Sequence, residues 1–318
     1  MPRPVIIDCD PGLDDALALL LALGSPAEVE VLAVTVVAGN APLALTEINA
    51  RKVLALGGRP DIRVHAGCAR PLVRTPVLAA DVHGKTGLDG YDLPEPGAPL
   101  AKAHGVDAII ELLCARPAGT VTLCPIGPLT NVAMAMVKAP EIVPRIREIV
   151  LMGGAIGLGN TTPSAEFNVF VDPQAADVVF RAGAPLVLCP LELTHQALVT
   201  PARLAGIRAL GTAVSAAVTG LLEFYNVYHR TEHGRAGGPL HDPCVIAYLL
   251  QPELFEGRDC HVEVEIQSEL TIGRTVIDWH GRGRPDRGPK PANAKVLSKL
   301  DTDGFFALLT ERLARLPL

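Results

Sequence analysis

Positions 5–15 read VIIDCDPGLDD, an apolar run that empties into four carboxylates, Asp8, Asp10, Asp14 and Asp15, with Pro11 and Gly12 as punctuation. Like charges at contact distance raise one another's pKa, so this group cannot stay ionised without a cation or a ring of hydrogen-bond donors. A bound divalent metal is the lightest explanation. Carboxylate oxygens are hard ligands, which suit calcium or magnesium and not zinc or copper. The competing reading is that Asp8 or Asp10 caps a helix while the other acids are solvated. The stretch ALALLLAL that follows is rich in strong helix formers, which places the acids on a strand-to-helix loop. Open parallel sheets bind their ligands at such loops.

Strand-like runs recur at 5–9, 29–37, 62–65, 121–123, 146–152 and 185–189, with helical periodicity filling most of the gaps. This alternation predicts right-handed βαβ units and an α/β fold, an open, mainly parallel, twisted sheet flanked by helices. No polar linker divides the 318 residues, so a single domain over 1–318 is expected. With 49% apolar and 19% charged residues, the composition suits a sheet covered on both faces. A net charge of −6 argues against a nucleic-acid or anionic-membrane surface and for a small-molecule ligand. The seven cysteines form no CxxC pair and several lie in apolar runs, as free thiols in a reducing cytoplasm do. The first strand begins by Pro4, which leaves no room for a signal peptide, and no apolar stretch approaches the roughly 20 residues of a membrane span.

Toward the end, 260–266 and 275–277 read as a hairpin pair added at a sheet edge, and 302–316 as a closing helix. Three segments break the pattern. Segment 70–99 is rich in Pro and Gly and carries His83, 231–241 carries Gly234, Gly237 and Gly238 and ends at His241, and 280–291 is basic, containing GRGRPDRGPKP. The first two read as mobile walls of a site and the third as a solvated surface loop.

Other chemistry-bearing groups are dispersed along the chain. In LHDPCVIAYLL, Asp242 opens an apolar helix, where a plain capping role is open to it. His241 beside it makes a metal ligand and a proton donor available together. In AEFNVFVDP, Glu166 and Asn168 stand two apart, so in an extended segment they point one way and Phe167 the other. A carboxylate and an amide so paired suit sugar hydroxyls, and Asn160 in GLGN could join them. The alternative is an ordinary polar loop capped by Asp172. LCPIGPLTNVAMAM reads as a strand, a Gly/Pro turn and a helix opening at Thr130.

In order and spacing these pieces resemble the inosine–uridine preferring nucleoside hydrolase family, from Val5 to about Thr275. DCDPGLDD matches that family's DxDPGxDD signature in full. AGN ending at Asn40, HG at His83, GPLTN at 127–131, MGG at 152–154, EFN at 166–168, DP at Asp172 and HDP at 241–243 are further matches.

The resemblance implies a doubly wound, Rossmann-like core and hydrolysis of the N-glycosidic bond of ribonucleosides to free base and ribose, with a bound calcium ion. Under it, Asp10, Asp15 and Asp242 are the calcium carboxylates, and the main-chain carbonyl of Ile126 completes the protein ligands. Asp10 is also the general base toward the nucleophilic water. Asp14 and Asn168 hold the 2′ and 3′ hydroxyls, Asn160 and Glu166 hold the 5′ hydroxyl, Asn40 supports the ribose pocket, and Phe167 belongs with the substrate-binding residues. His241 is similar to the family's general acid for the leaving base, and His83 to a second histidine beside it. Tyr225 and Tyr228, in FYNVYHR, resemble aromatic residues that cap the base on a mobile helix, although their spacing to HDP departs from the family by about one residue. A plain amphipathic stripe is the other reading of that pair. The purine-specific branch surrounds the base with tryptophans, whereas the one tryptophan here, Trp279, lies in the late hairpin region. A pyrimidine or inosine–uridine preference follows. The family also implies a homodimer or homotetramer acting on a small-molecule ribonucleoside, with no nucleic-acid or membrane partner.

Two other classes compete. Aspartyl-phosphate phosphatases also open with a strand and DxD, but there the second acid precedes a small residue and Thr, not Pro11 and Gly12. A nucleoside-binding protein without turnover would not need Asp10 and His241 intact.

Overall fold

In the strand Arg3–Cys9, β1, burial is complete on both faces from Val5 onward: Val5 and Ile7 join one apolar cluster and Ile6 joins the other. The period of two along a strand sends them to opposite layers. The computed structural model describes residues 1–234, 237–283 and 285–317. Arg235 and Ala236 in the second loop, Arg284 in the basic one, and Leu318 lie outside the described residues.

The remaining strands are β2 (Val29–Val36), β3 (Val64–Ala66), β4 (Val121–Pro125), β5 (Ile146–Met152), β6 (Leu186–Cys189), β7 (Phe255–Cys260), β8 (Val262–Val264), β9 (Thr275–Ile277) and β10 (Ala294–Leu300). Among the described residues the main sheet has eight strands in the order β3-β2-β1-β4-β5-β6-β10-β7. Every pairing in it is parallel except β10 with β7. From β1 the chain winds outward through β2 and β3, then returns to β4 on the other side. The switch point between β1 and β4 opens a crevice at their carboxyl ends, where doubly wound sheets bind ligands.

The helices are α1 (Leu13–Leu23), α2 (Leu43–Leu56), α3 (Ala80–His83), α4 (Gly105–Ala115), α5 (Thr130–Lys138), α6 (Phe167–Val171), α7 (Pro173–Arg181), α8 (Leu191–Thr194), α9 (Pro201–Arg208), α10 (Ala213–His233), α11 (Pro243–Leu250) and α12 (Thr302–Leu313). Apolar residues of α1, α2, α10, α11 and α12 cover one face of the sheet, and those of α4, α5 and α7 the other. Every residue of α1 is buried, as in a helix that is apolar nearly all round.

Four expectations are corrected. Asp8 lies within β1, Asp14 and Asp15 lie in the first turn of α1, and only Asp10 is on the loop between them, because Pro11 and Gly12 complete the turn before Leu13. The segment 260–266 is not one strand of an edge hairpin: β7 ends at Cys260 as the sheet's edge, while β8 and β9 form a separate two-stranded sheet. Strand β10, whose apolar residues are interrupted by Lys295 and Lys299, adds a strand that the periodicity does not predict and inserts between β6 and β7. Finally, α10 runs on to His233, so the second loop begins at Gly234, whose φ of 60° closes the helix in the left-handed region. The basic segment 280–291 is largely exposed over its described residues, as a solvated loop is.

Candidate active site

The crevice at the switch point holds a cavity of about 300 Å³, near the small end for ligand pockets. Asp14, Asn40, His83, Ile126, Asn160 and Glu166 line it, as do Phe167, Asn168, Tyr225, Tyr228, His241 and Asp242. Asp10 and Asp15, both fully buried, lie beneath it. Residues spread from the end of β1 to the start of α11 thus meet at the carboxyl ends of the central strands.

The acids are held by backbone donors. Asp15 accepts from the N–H groups of Gly12 (2.9 Å) and Asp10 (3.1 Å), and from the Asn40 side-chain amide (3.1 Å). It is Asp15, not Asp8 or Asp10, that serves the start of α1. Asp10 Oδ2 accepts from Asn40 N–H at 2.6 Å, while its Oδ1 is buried without a hydrogen-bond partner. Two glycines permit this packing: a Cβ on Gly39 would stand 2.1 Å from Asp10 Oδ2, and one on Gly127 2.5 Å from Oδ1. The backbone N–H groups of His241 and Asp242 favour the ionised form of the Asp14 carboxyl, which brings the first turn of α1 up to the start of α11. Asp242 precedes α11 but makes no side-chain cap bond, so the plain capping role is not the one it fills.

Ligand oxygens of Asp14, Asp15 and Asp242 lie within 4.8 Å of one another, all buried. This group includes Asp14, which the resemblance assigned to ribose, and leaves Asp10 beside it. Burial first, then the charges of its neighbours, push the carboxyls of Asp10 and Asp242 well up. Burial, then the charge of Asp15, takes Asp14 to about 7. A divalent cation among them would reverse these directions. The all-oxygen donor set and the orphaned Asp10 Oδ1 fit a hard cation. Asp8 stands apart from this work: its Oδ1 accepts from Thr35 (2.5 Å) and Asn131 (2.8 Å), joining β1 to β2 and α5.

The segment 166–168 is not extended. The Glu166 carboxylate accepts from Asn168 N–H (2.9 Å) and Val169 N–H (3.1 Å) and so caps α6. Phe167 consequently lines the cavity together with Glu166 and Asn168 rather than facing away. Glu166 also accepts from Gly154 N–H (2.9 Å), and burial takes its carboxyl to about 7 against these donors. The Asn168 amide donates to the Ile126 carbonyl (2.9 Å), leaving its own oxygen for a ligand. Asn160 Oδ1 accepts from Phe167 N–H (3.0 Å).

Across the cavity, His241 Nδ1 pairs with Thr194 Oγ1 at 2.7 Å. His83 Nδ1 accepts from Leu13 N–H (3.1 Å), and burial, then His229, lowers its pKa to about 3, so the ring is neutral. It stacks on Tyr225 with centroids 6.2 Å apart, and the Tyr225 hydroxyl donates to Pro239 O (3.1 Å). His195, edge-on to His241 at 5.7 Å, and His229, edge-on to Tyr225 at 4.5 Å, also line the cavity. Sequence reasoning missed both. His229 stands one turn after Tyr225 and was findable by that spacing; His195 follows α8 and carries no local signal.

The sequence profile of the family described as inosine-uridine preferring nucleoside hydrolase matches residues 5–307. The chain is 48% identical over 315 residues to the pyrimidine-specific ribonucleoside hydrolase RihA of Shewanella sp. (strain ANA-3), covering 99% of this chain and 97% of that protein. Among solved structures, a plant nucleoside hydrolase, the PpNRh1 enzyme, superposes with a TM-score of 0.91 at 32% identity, over 99% of each chain. The purine-preferring ribonucleoside hydrolase from Gardnerella vaginalis gives 0.89 at 31% identity, over 98% of each chain.

Proposed function

This chain belongs to the inosine–uridine preferring nucleoside hydrolase family and is a nucleoside hydrolase; from that premise we propose that it is calcium-dependent, prefers pyrimidine ribonucleosides, and works through Asp10 and His241. The observation that carries the reading is the convergence of buried carboxyls from the first turn of α1 and from Asp242, just before α11, within 4.8 Å, next to the orphaned Asp10 Oδ1.

Asp10, Asp15 and Asp242, with the Ile126 carbonyl, would hold the ion. When bound, it supplies a positive template that anchors vicinal hydroxyls and acidifies water. Asp14 and the Asn168 oxygen accept the 2′ and 3′ hydroxyl protons, and Asn160 and Glu166 take the 5′ hydroxyl. Asn40 holds Asp10 and Asp15 in place for the ribose pocket. Asp10 removes a proton from the attacking water as its oxygen bonds to C1′. The C1′–N bond breaks with its electron pair passing to the base, and His241 returns a proton there. Thr194 engages Nδ1, and Nε2 is the ring nitrogen assigned to the base. Positive charge building on the ribosyl ring, as in other glycosyl transfers, meets a floor of carboxylates. His83, Tyr225 and Tyr228 enclose the base, and Phe167 packs near the sugar; the walls carrying His83 and His241 move to admit it.

Pyrimidine preference is supported by the 48% identity to RihA, against 31% to the purine-preferring structure. The cysteines are all free, which supports a reducing, cytoplasmic setting, and no helix among the described residues is long and apolar enough to cross a membrane. A homodimer or homotetramer, with 1–318 acting as one domain, completes the proposal. The test is ribose release from uridine, cytidine, inosine and adenosine, before and after chelation and calcium add-back. Faster release from the pyrimidines, lost on chelation and restored by calcium, is expected. Chelator-insensitive turnover or faster purine cleavage overturns the corresponding part.

A further inference from the structure

Between β5 and the tip bearing Asn160, four successive backbone donors are collected by side chains from elsewhere. Gly154 N–H goes to Glu166 Oε2 (2.9 Å), Ala155 N–H to Thr275 Oγ1 (2.9 Å), Ile156 N–H to Glu192 Oε2 (2.7 Å) and Gly157 N–H to Glu192 Oε1 (2.8 Å). The stretch 153–157 has no helix or strand of its own. Its course is therefore set by three side chains, and Glu192 supplies half of the bonds. Charge-assisted bonds from one carboxylate to two adjacent N–H groups are among the stronger local anchors.

Glu192 is itself fixed. It lies in the first turn of α8, whose Leu191 N–H donates back to Gly154 O (3.0 Å). Beyond the anchor the chain closes a tight loop, with Gly159 N–H on Pro163 O and Thr161 N–H on Ala165 O, both 3.2 Å. Asn160 sits between those two donors and faces the cavity, whereas Glu192 does not line it.

We propose that Glu192 is a positioning residue for recognition of the sugar's primary hydroxyl: by clamping the N–H groups of Ile156 and Gly157 it holds Asn160 where that hydroxyl binds. This rests on the reading above that Asn160 and Glu166 take the 5′ hydroxyl. Without the clamp, Asn160 must be ordered at the moment of binding, which weakens ligands that use it and spares ligands that do not.

The test is steady-state kinetics of Glu192→Ala and Glu192→Gln on uridine and 5′-deoxyuridine, with Asn160→Ala in parallel. In Glu192→Ala, KM for uridine should rise about tenfold with kcat changed less than about twofold, and KM for 5′-deoxyuridine should stay constant. Glu192→Gln, which offers one acceptor to two donors, should fall between wild type and Glu192→Ala. The ratio of kcat/KM for the two substrates is independent of the fraction of folded enzyme, so partial misfolding does not obscure it. Equal losses on both substrates, or none on either, overturn the proposal. If Asn160→Ala discriminates the substrates and Glu192→Ala does not, the role of Glu192 fails and the 5′-hydroxyl reading stands. If Asn160→Ala does not discriminate, both fail.

Discussion

Replacing Asp242 by asparagine separates the charge of the acidic group from its shape. The side chain is nearly isosteric, and the backbone N–H that serves Asp14 is untouched. No cap bond is lost, because the carboxyl makes none. Burial and the charges of Asp14, Asp15 and Asp10 oppose ionisation of Asp242 in the metal-free protein, so the substitution removes a repulsion. It also removes a carboxylate ligand. The two effects have opposite signs, and calcium reveals which one operates. An unfolding entropy of about 2.1 cal/mol/K per residue over 318 residues gives ~0.7 kcal/mol/K. Calcium at ~100 times its Kd stabilises by ~2.7 kcal/mol, which corresponds to a rise in Tm of ~4 °C. Scanning fluorimetry at pH 8, after chelation and again with calcium, measures both effects. Wild type should gain ~4 °C; the metal-free Asp242→Asn protein should melt at or above metal-free wild type and gain less than ~1 °C. A variant that keeps the full calcium shift refutes the ligand assignment, and a metal-free variant that melts well below wild type refutes the repulsion argument.

The carboxyls of Asp8, Asp14 and Glu166 are each raised to about 7, chiefly by burial. Between about pH 4 and 7 the fold thus keeps protons that the unfolded chain has released, and stability falls as pH rises through that window. Metal-free protein should melt lower at pH 8 than at pH 5, with a larger calcium shift at pH 8; the opposite slope in fluorimetry contradicts the pKa assignments. Thr194→Val deletes the 2.7 Å contact to His241 and should lower kcat for uridine about tenfold or more while sparing 4-nitrophenyl riboside, whose leaving group needs no proton. Equal losses on the two substrates argue against a proton donor anchored by Thr194. His83→Ala strands the Leu13 N–H and should cost about 1–3 kcal/mol in urea unfolding; no loss means that another acceptor replaces the ring. Gly39→Ala drives a Cβ to 2.1 Å from Asp10 Oδ2 and should abolish both turnover and the calcium shift without changing the circular dichroism spectrum, whereas an active variant shows that Asp10 has freedom to move.

Much of this molecule is legible in one dimension because its signals are local. Apolar runs of strand length alternating with helical periodicity identify a parallel α/β sheet, and the crowding of Asp10, Asp14 and Asp15 into six positions calls for a cation or a ring of hydrogen-bond donors whatever the rest of the chain does. The same locality explains the failures. Glu166 and Asn168 suit a strand by spacing, but the Glu166 carboxylate captures two N–H groups and starts a helix instead. Strand β10 is decided by the open edge of β6, which no neighbour in the chain announces.

By itself the sequence determined the order of elements and the chemistry each carries, since periodicity, capping and charge repulsion act between residues a few positions apart. Only the tertiary structure decided which of those residues meet: that Asp242 closes on Asp14 and Asp15, that Thr194 holds His241, and that His195 and His229 face the same cavity. Such meetings depend on strand order and helix packing, where side chains far apart in the chain are brought together by the core they bury rather than by any pattern they share.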